Sequence, residues 1–348
     1  MISHSLRKVA RGEVLDAEES YALFSCLAGA GAEVISDAQI GAYLLSTAMR
    51  SIQSPELIGG AKCLREQMVK VPVKLMLPGI ETLDTCGTGG SGLQTFNTST
   101  AVALVCAAAG QYVAKHGNRG ATSGCGSIDL LETLGVKCEL PPEQIARCLE
   151  KTGFCVIFAP KHHPATARVG RIRRELGIPT IFNFLGPLVN PAGSERQLLG
   201  VSRRQMVQVM AEALSGLGTK RAMVVCGEDG LDEITLNGRT EVCEVNGTAI
   251  TKYFIEPGDY GFPPAAAADI RGGTPAVSAQ IMQRIFSGES GAHLNLVLLN
   301  AGAALYVGGQ SGSIQEGIAK ARQCIDSGKA AEKLAEVIRF TANNGMQN

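Results

Sequence analysis

The chain has 348 residues, 45% of them hydrophobic and 18% charged, which suits one or two packed α/β domains and excludes a disordered or fibrous chain. Lys plus Arg and Asp plus Glu number 32 each. That balance, without a long basic run, argues against nucleic acid or a membrane surface as the main partner, while allowing a local basic pocket for an anionic small molecule.

The opening MISHSLRKVARGEVLDAEES has no apolar core of the kind a signal peptide needs. The apolar runs 102–110 and 294–305 are too short or too interrupted to span a bilayer. A cytoplasmic protein is therefore expected. The eleven cysteines form no C-x-x-C and take no zinc-like spacing with histidine. They read as small core hydrophobes in a reducing compartment.

Residues 1–72 read as helices only. Apolar positions recur at helical spacing in YALFSCLAGAG and AQIGAYLLSTAMRSI, and Ser36-Asp37 and Ser54-Pro55-Glu56 are helix starts with an N-cap hydroxyl. Pro72 and Pro78 mark the exit from this helical domain. From about residue 80 short apolar strands alternate with helices: the strand ETLDTC, a glycine loop, the helix TSTAVALVCAAAG, the strand QYVAKH, a Gly/Ser loop and the helix IDLLETLG. FCVIFAP and AMVVCG are further strands, so the repeat predicts a mainly parallel sheet. LDEITLNGRTEVCEVNGTAI, with two Asn-Gly turns, predicts an antiparallel hairpin added to it. The last sixty residues read as helices. The expected fold class is thus α/β, with a small all-helical N-terminal domain (1–72) and a larger α/β domain (73–348).

The loop DTCGTGGSGLQTFNTST carries Gly87, Gly89 and Gly92 at the spacing G-x-G-x-x-G. A P-loop is excluded, because Leu93 and Gln94 follow Gly92 where Lys-Ser/Thr is needed. A dinucleotide site is rejected because the helix opens late, near Thr98, and the next strand ends in Lys115-His116 where an acid should take the ribose hydroxyls. What remains is a glycine loop whose N–H groups meet an anion, followed by a helix start with Asn97, Ser99 and Thr100 at its positive end. Alone, NTST would be no more than a helix cap. A second cradle, KHGNRGATSGCGS, leaves the adjacent strand with Lys115, Arg119 and several hydroxyls.

Asp232-Glu233 in GEDGLDEI is an acid pair that, alone, would be a solvated hairpin. Beside two anion cradles it can hold Mg²⁺, which favours oxygen ligands and substrate phosphates. HHPATARVGRIRRELGIPTIFNFLGPLVNP carries His162, His163, Arg168, Arg171, Arg173 and Arg174, then an uncharged strand-like run and a Gly-Pro turn. Most of these arginines read as a solvated helix face. One could bind a carboxylate in bidentate fashion.

These pieces, in this order, resemble the anthranilate phosphoribosyltransferase family, the second enzyme of tryptophan synthesis. The resemblance runs over nearly the whole chain, through GTGG, NTSTA, VAKHGNR, GLDEI, TIFNFLGPL-NP and NAG-AALYVGG. It implies a helical domain, completed by helices near 160–178, hinged to an α/β domain in an enzyme that is usually a homodimer. By position it implies that Gly87, Gly90, Ser91, Thr95, Asn97, Ser99, Thr100, Lys115, Asn118, Arg119, Ser123 and Ser127 hold phosphoribosyl diphosphate. It implies that Ser99, Asp232 and Glu233 hold Mg²⁺, and that Gly87, Asn118, Arg173 and Gly186 meet anthranilate, an aromatic amine acid. Lys115, His116 and Arg173 are the implied catalytic residues. His116 is either a base or a loop-ordering hydrogen bond.

The chain departs from the family pattern at four places. Ser91 stands where GTGGD has its acid, Gly124 where a lysine is usual, Pro179 where an arginine is usual, and Cys226 precedes Gly227 in place of histidine.

Overall fold

The computed structural model describes residues 2–29, 31, 34–120 and 124–343. The chain opens with α1 (Ile2–Ala10), α2 (Ala17–Leu27), α3 (Asp37–Met49), α4 (Ser54–Gln67) and the short α5 (Val73–Met76). Capping boxes start α2 at Asp16 and α3 at Ser36, each side chain taking a free N–H of the first turn. At α4 the expected cap is one residue late. Gln53 is the N-cap, Glu56 accepts from its N–H at 3.2 Å, and the Ser54 hydroxyl instead donates to Glu212 at 2.8 Å.

The βα region follows as β1 (Leu83–Gly87), α6 (Thr98–Ala108), β2 (Val113–Gly117), α7 (Ser127–Thr133), α8 (Pro142–Thr152), β3 (Phe154–Phe158), α9 (Ala159–His162), α10 (Ala167–Leu176), α11 (Phe182–Leu185), β4 (Arg196–Gly200), α12 (Met206–Gly216) and β5 (Arg221–Gly227). An antiparallel pair, β6 (Thr240–Asn246) and β7 (Ala249–Ile255), precedes α13 (Pro275–Phe286), α14 (Ala292–Gly308), α15 (Ile314–Asp326) and α16 (Lys329–Asn343). No helix among the described residues is long and apolar enough to cross a membrane.

The seven strands form one sheet in the order β3-β2-β1-β4-β5-β6-β7. Pairing is parallel from β3 through β5 and antiparallel beyond. One face carries α6, α7 and α13–α16 over a core that includes Leu104, Val225 and Leu298. The core of the opposite face joins α12 to α2–α4, α10 and α11 through residues such as Phe24, Tyr43, Ile172 and Met210. Within it, α10 packs on α3, with Arg168 reaching Asp37 at 2.6 Å and Arg171 pairing with the same carboxylate.

Three expectations are corrected. The run TIFNFLGP, read as a strand, is helical: α11 leads into a 3₁₀ turn at 186–188. Asn183 Oδ1 accepts from Thr180 N–H at 3.0 Å and so closes the first turn, overriding the β preference of Ile and Phe. Of the two Asn-Gly pairs, Asn246-Gly247 turns the β6–β7 hairpin, whereas Asn237-Gly238 lies in the irregular 228–239 connection. The sheet also contains β4, not anticipated because Arg196 and Gln197 make it polar. Arg196 bonds Glu81 at 2.6 Å and the Val307 carbonyl at 2.7 Å, and Gln197 bonds the Pro187 carbonyl at 2.8 Å. No disulfide joins the cysteines among the described residues, and all but Cys86 are buried.

Candidate active site

Strand order reverses at β1, with β2 on one side and β4 on the other, so the carboxyl ends of β1 and β4 flank a topological switch point where open α/β sheets bind ligands. Gly87 and Gly200 end these strands side by side. The 228–239 connection drops Asp232 onto both. A Cβ on Gly87 would stand 2.3 Å from Asp232 Oδ2, and one on Gly200 would overlap the Asp232 carbonyl at 1.6 Å. Backbone leaves room only for glycine at Gly200, whereas at Gly87 an added methyl would have to push the Asp232 carboxylate aside.

From Gly87 the chain runs through Gly89, Gly90 and Gly92 at φ 67°, 81° and 73°, a left-handed path that side chains resist. Gly89 donates its N–H to Asp232 Oδ2 at 2.9 Å, and Ser202 donates its hydroxyl to the Gly89 carbonyl at 2.9 Å. Ser91 folds onto Leu93, its Oγ accepting from Leu93 N–H at 3.3 Å. Beyond it, residues 270–273 strap the loop down. Thr95 bridges Arg271, Gly272 N–H donates to the Gln94 carbonyl at 2.7 Å, and a Cβ on Gly272 would meet Phe96 backbone at 2.6 Å.

The α6 start brings the hydroxyls of Ser99 and Thr100 here, as expected, with a difference. Asn97 makes no cap; its Nδ2 donates to the Cys125 carbonyl at 3.1 Å. Glu233 accepts from the Ser99 N–H, so one free N–H of the helix meets the protein's own carboxylate. The Thr100 hydroxyl and Asn97 Oδ1 are buried without a partner among the described residues.

Lys115 is 2% exposed and so is not a surface hook for phosphate. Its ammonium donates to the Thr85 carbonyl at 2.6 Å and to the Ser99 hydroxyl at 3.2 Å. Burial lowers its proton affinity, opposed by Asp84 and Glu233. Asp84 is fully buried, accepting from His116 N–H at 3.3 Å and Asn190 Nδ2 at 2.8 Å, and burial pushes its carboxyl up to about 6. Glu233 is pushed up to about 8, first by burial and then by Asp232 beside it; burial raises Asp232 as well.

Two adjacent carboxylates that resist ionisation are a donor set that a hard divalent cation would stabilise. Ser99 Oγ, which accepts from Lys115, keeps a second lone pair for such an ion. Among the described residues no group of three or more His, Cys, Asp or Glu side chains clusters to hold a metal. The residues thus fit Mg²⁺ completed by substrate oxygens and water.

Along the second cradle, Asp129 ties the loop by accepting from Gly120 N–H and Gly126 N–H, both at 2.8 Å. Ser127 packs against the end of β2, 2.2 Å from where a Gly117 Cβ would lie. Asn118 Oδ1 accepts from Arg119 N–H, and the Arg119 guanidinium turns outward to Glu132 at 2.7 Å. Ser123 lies outside the described residues.

At the far side His116 Nδ1 lies 3.2 Å from the Gly186 carbonyl, which can only accept, so Nδ1 carries the proton and Nε2 a lone pair. His163 packs against it, ring centroids 5.2 Å apart, and bonds the Val189 backbone. Both Nε2 atoms are buried without a partner among the described residues. Burial pushes His116 down to about 3 and His163 to about 4, so both rings are neutral. The half-buried Arg173 lies over the Phe182 ring at 5.4 Å and donates to Asn183 at 3.3 Å, and among the described residues no carboxylate pairs with it. The structure thus brings Gly87, Ser99, Lys115, Asp232 and Glu233 together, with His116 against Gly186, while Arg173 stands on Phe182.

Residues 79–331 match the glycosyl transferase family a/b domain and residues 3–68 its helical bundle domain. A protein of Methanocorpusculum labreanum named anthranilate phosphoribosyltransferase is 44% identical over 97% of both chains. One of Acetivibrio thermocellus with the same name is 43% identical over 98% of this chain and 97% of its own. The chain belongs to the anthranilate phosphoribosyltransferase family. The crystal structure of the Thermus thermophilus anthranilate phosphoribosyltransferase superposes with a TM-score of 0.89 at 38% identity, covering 97% of this chain and 99% of that one. The Saccharomyces cerevisiae enzyme, solved in complex with PRPP and Mg, is 24% identical with a TM-score of 0.87 over 98% of both chains, and shows the shared fold.

Against the family pattern, Gly124 stands where a Cβ would be 3.3 Å from the Gly273 carbonyl, so a lysine there would press on the strap. Pro179 is exposed. Cys226 is buried, and burial raises its thiol to about 11, with Glu241 and Asp232 adding to the shift. Asp84, Asn190, His163, Ser202 and Asn300 were not assigned site roles from sequence. The one legible signal among them is a polar Asn300 inside the apolar run LNLVLLNAGAALYVG.

Proposed function

We propose that this chain transfers the phosphoribosyl group of 5-phosphoribosyl 1-diphosphate to anthranilate, giving N-(5-phosphoribosyl)anthranilate and diphosphate. The observation that carries the reading is Asp232, of the Asp232-Glu233 pair, seated on Gly87 and Gly200 at the switch point, in a chain of this family. The C1–diphosphate bond breaks with its electron pair leaving on diphosphate, the amine lone pair forms the new C1–N bond, and one amine proton is lost.

Asp232, Glu233 and Ser99 would hold Mg²⁺, which when bound neutralises charge developing on the leaving diphosphate. The glycine loop N–H groups and the Ser99 and Thr100 hydroxyls bind the diphosphate. Lys115 acts from beneath, holding Ser99 and keeping positive charge under the site. Because anthranilate is a weak neutral nucleophile, positioning supplies much of the rate.

Arg173, paired with no carboxylate among the described residues, suits the acid group of the acceptor. The unpartnered Nε2 lone pairs of His116 and His163 suit its amine. After C–N bond formation that nitrogen is a strong acid, so His116 can receive its proton although burial makes it a weak base. We assign residues 1–72 with α10 to the helical domain, 73–348 to the α/β domain, and the assembly to a cytoplasmic homodimer. The exposed Val34, Leu45 and Met49 support self-association, which light scattering reads.

Charge lost at Ser91, Gly124 and Pro179 favours, as the second reading, another aromatic amine acid as acceptor. Turnover across a panel of such acids with 5-phosphoribosyl 1-diphosphate and Mg²⁺ decides. Anthranilate should have the highest kcat/KM, and a better acceptor would replace it in the assignment.

A further inference from the structure

The acid pair sits in a segment with no regular backbone ladder. Single backbone bonds at Glu228, Gly230, Leu231 and Leu236 are joined by side-chain bonds to hold residues 228–237: Asp229 accepts from Leu231 N–H at 3.1 Å, Thr240 from Thr235 N–H at 3.0 Å, and Thr235 from Asn237 N–H at 2.9 Å. Leu231, Ile234 and Leu236 are buried anchors on either side of Asp232-Glu233. Ile234, next to Glu233, has neither backbone group paired with a strand. Both go to Asn300 of α14. Asn300 Oδ1 accepts from Ile234 N–H at 2.8 Å, and Nδ2 donates to the Ile234 carbonyl and, one turn back, to the Leu296 carbonyl, both at 2.9 Å.

This amide acts as a one-residue strand partner. Its orientation is fixed, since a flipped amide would set a donor against the Ile234 N–H and its oxygen against two carbonyls. Asn is poor in a helix interior and costly in a core unless satisfied. Here it is fully buried in an almost wholly apolar helix. An apolar residue would serve the packing of α14; the amide serves the loop.

Resting on the proposed function, we propose that Asn300 is a positioning residue for the cation–diphosphate site: it fixes the backbone that carries Asp232 and Glu233, without itself touching ion or substrate. Partners that hold metal-ligating groups in place are commonly worth 10–100-fold in metal affinity. Acting through one peptide group, Asn300 is expected at about the lower end, roughly tenfold.

The test uses the full chain and the variants Asn300→Leu, of similar volume, and Asn300→Ala. Leu305→Ala, on the same helix and remote from Ile234 in its bonding, is the control for loss of core packing. Calorimetric titration of Mg²⁺ in the presence of 5-phosphoribosyl 1-diphosphate reads binding directly, and the Mg²⁺ dependence of turnover reads it independently. Both Asn300 variants should bind roughly tenfold more weakly and regain rate at high Mg²⁺, with Leu305→Ala unchanged. Mg²⁺ binding equal to the unchanged protein, a loss no larger than that of Leu305→Ala, or failure of both Asn300 variants to fold would overturn the assignment and leave Asn300 a packing residue. No binding by the unchanged protein would contradict the functional reading itself.

Discussion

Gly87 and Asp232 are fitted so closely that a single added methyl on Gly87 would lie 2.3 Å from the Asp232 carboxylate oxygen. Gly87 ends a strand at an exposed position, so the methyl displaces the carboxylate without opening the core. Gly87→Ala should therefore keep its melting temperature within a few degrees while kcat falls about 100-fold, the scale of a misplacement of about 1 Å at a reacting centre. Unchanged kcat would show that Asp232 does not work from the position seen.

Arg173 pairs with no carboxylate among the described residues and is the candidate clamp for the acceptor's acid group. Arg173→Lys keeps the charge and loses the bidentate fork. The KM for anthranilate should rise about tenfold or more, with the KM for 5-phosphoribosyl 1-diphosphate unchanged. Equal rises in both would place Arg173 outside the acceptor site.

Ser91 holds Leu93 N–H in a local turn and bonds neither acid of the pair. Asp can make the same turn. Ser91→Asp should leave the fold intact and, by adding a negative charge to the loop, lower the half-saturating Mg²⁺ about two- to fivefold. No change in Mg²⁺ dependence or rate would make the position peripheral.

His163 is held neutral, pushed down to about 4 from an ordinary value near 6.5 by burial. The unfolded chain then binds more protons between those values, so the stability tied to His163 is complete above about pH 6.5 and is lost as pH falls toward about 4. Urea unfolding at pH 7.5 and 4.5 should show His163→Asn losing about 2–3 kcal/mol less than the unchanged protein. Asp84 and Glu233 shift in the opposite sense, but they are present in both proteins and cancel in the difference. Equal losses would mean that His163 is open to water.

Local chemistry explains which parts of this were legible in the sequence. The βα repeat, the late start of α6 and the Ser36 cap are written in short stretches, and so were read directly. β4 was missed because Arg196 and Gln197 serve partners more than a hundred residues away in Glu81, Val307 and Cys86, and resemble loop residues when read alone. α11 was misread because one Asn183 hydrogen bond outweighs the β preference of its neighbours. For Lys115 the spacing says that it ends β2, and only the fold says that it lies under Ser99. Asp84 and His163 act across strands and helices, where a single sequence has no period to reveal them, and Asn300 shows only as a polar residue in an apolar run.

The most direct measurement is the steady-state reaction of the purified full chain with 5-phosphoribosyl 1-diphosphate and anthranilate as Mg²⁺ is titrated, following diphosphate release and anthranilate loss together. Equal amounts of both are expected, saturating with Mg²⁺ and lost on chelation. Diphosphate release without consumption of anthranilate, or no turnover at saturating Mg²⁺, would contradict the assignment.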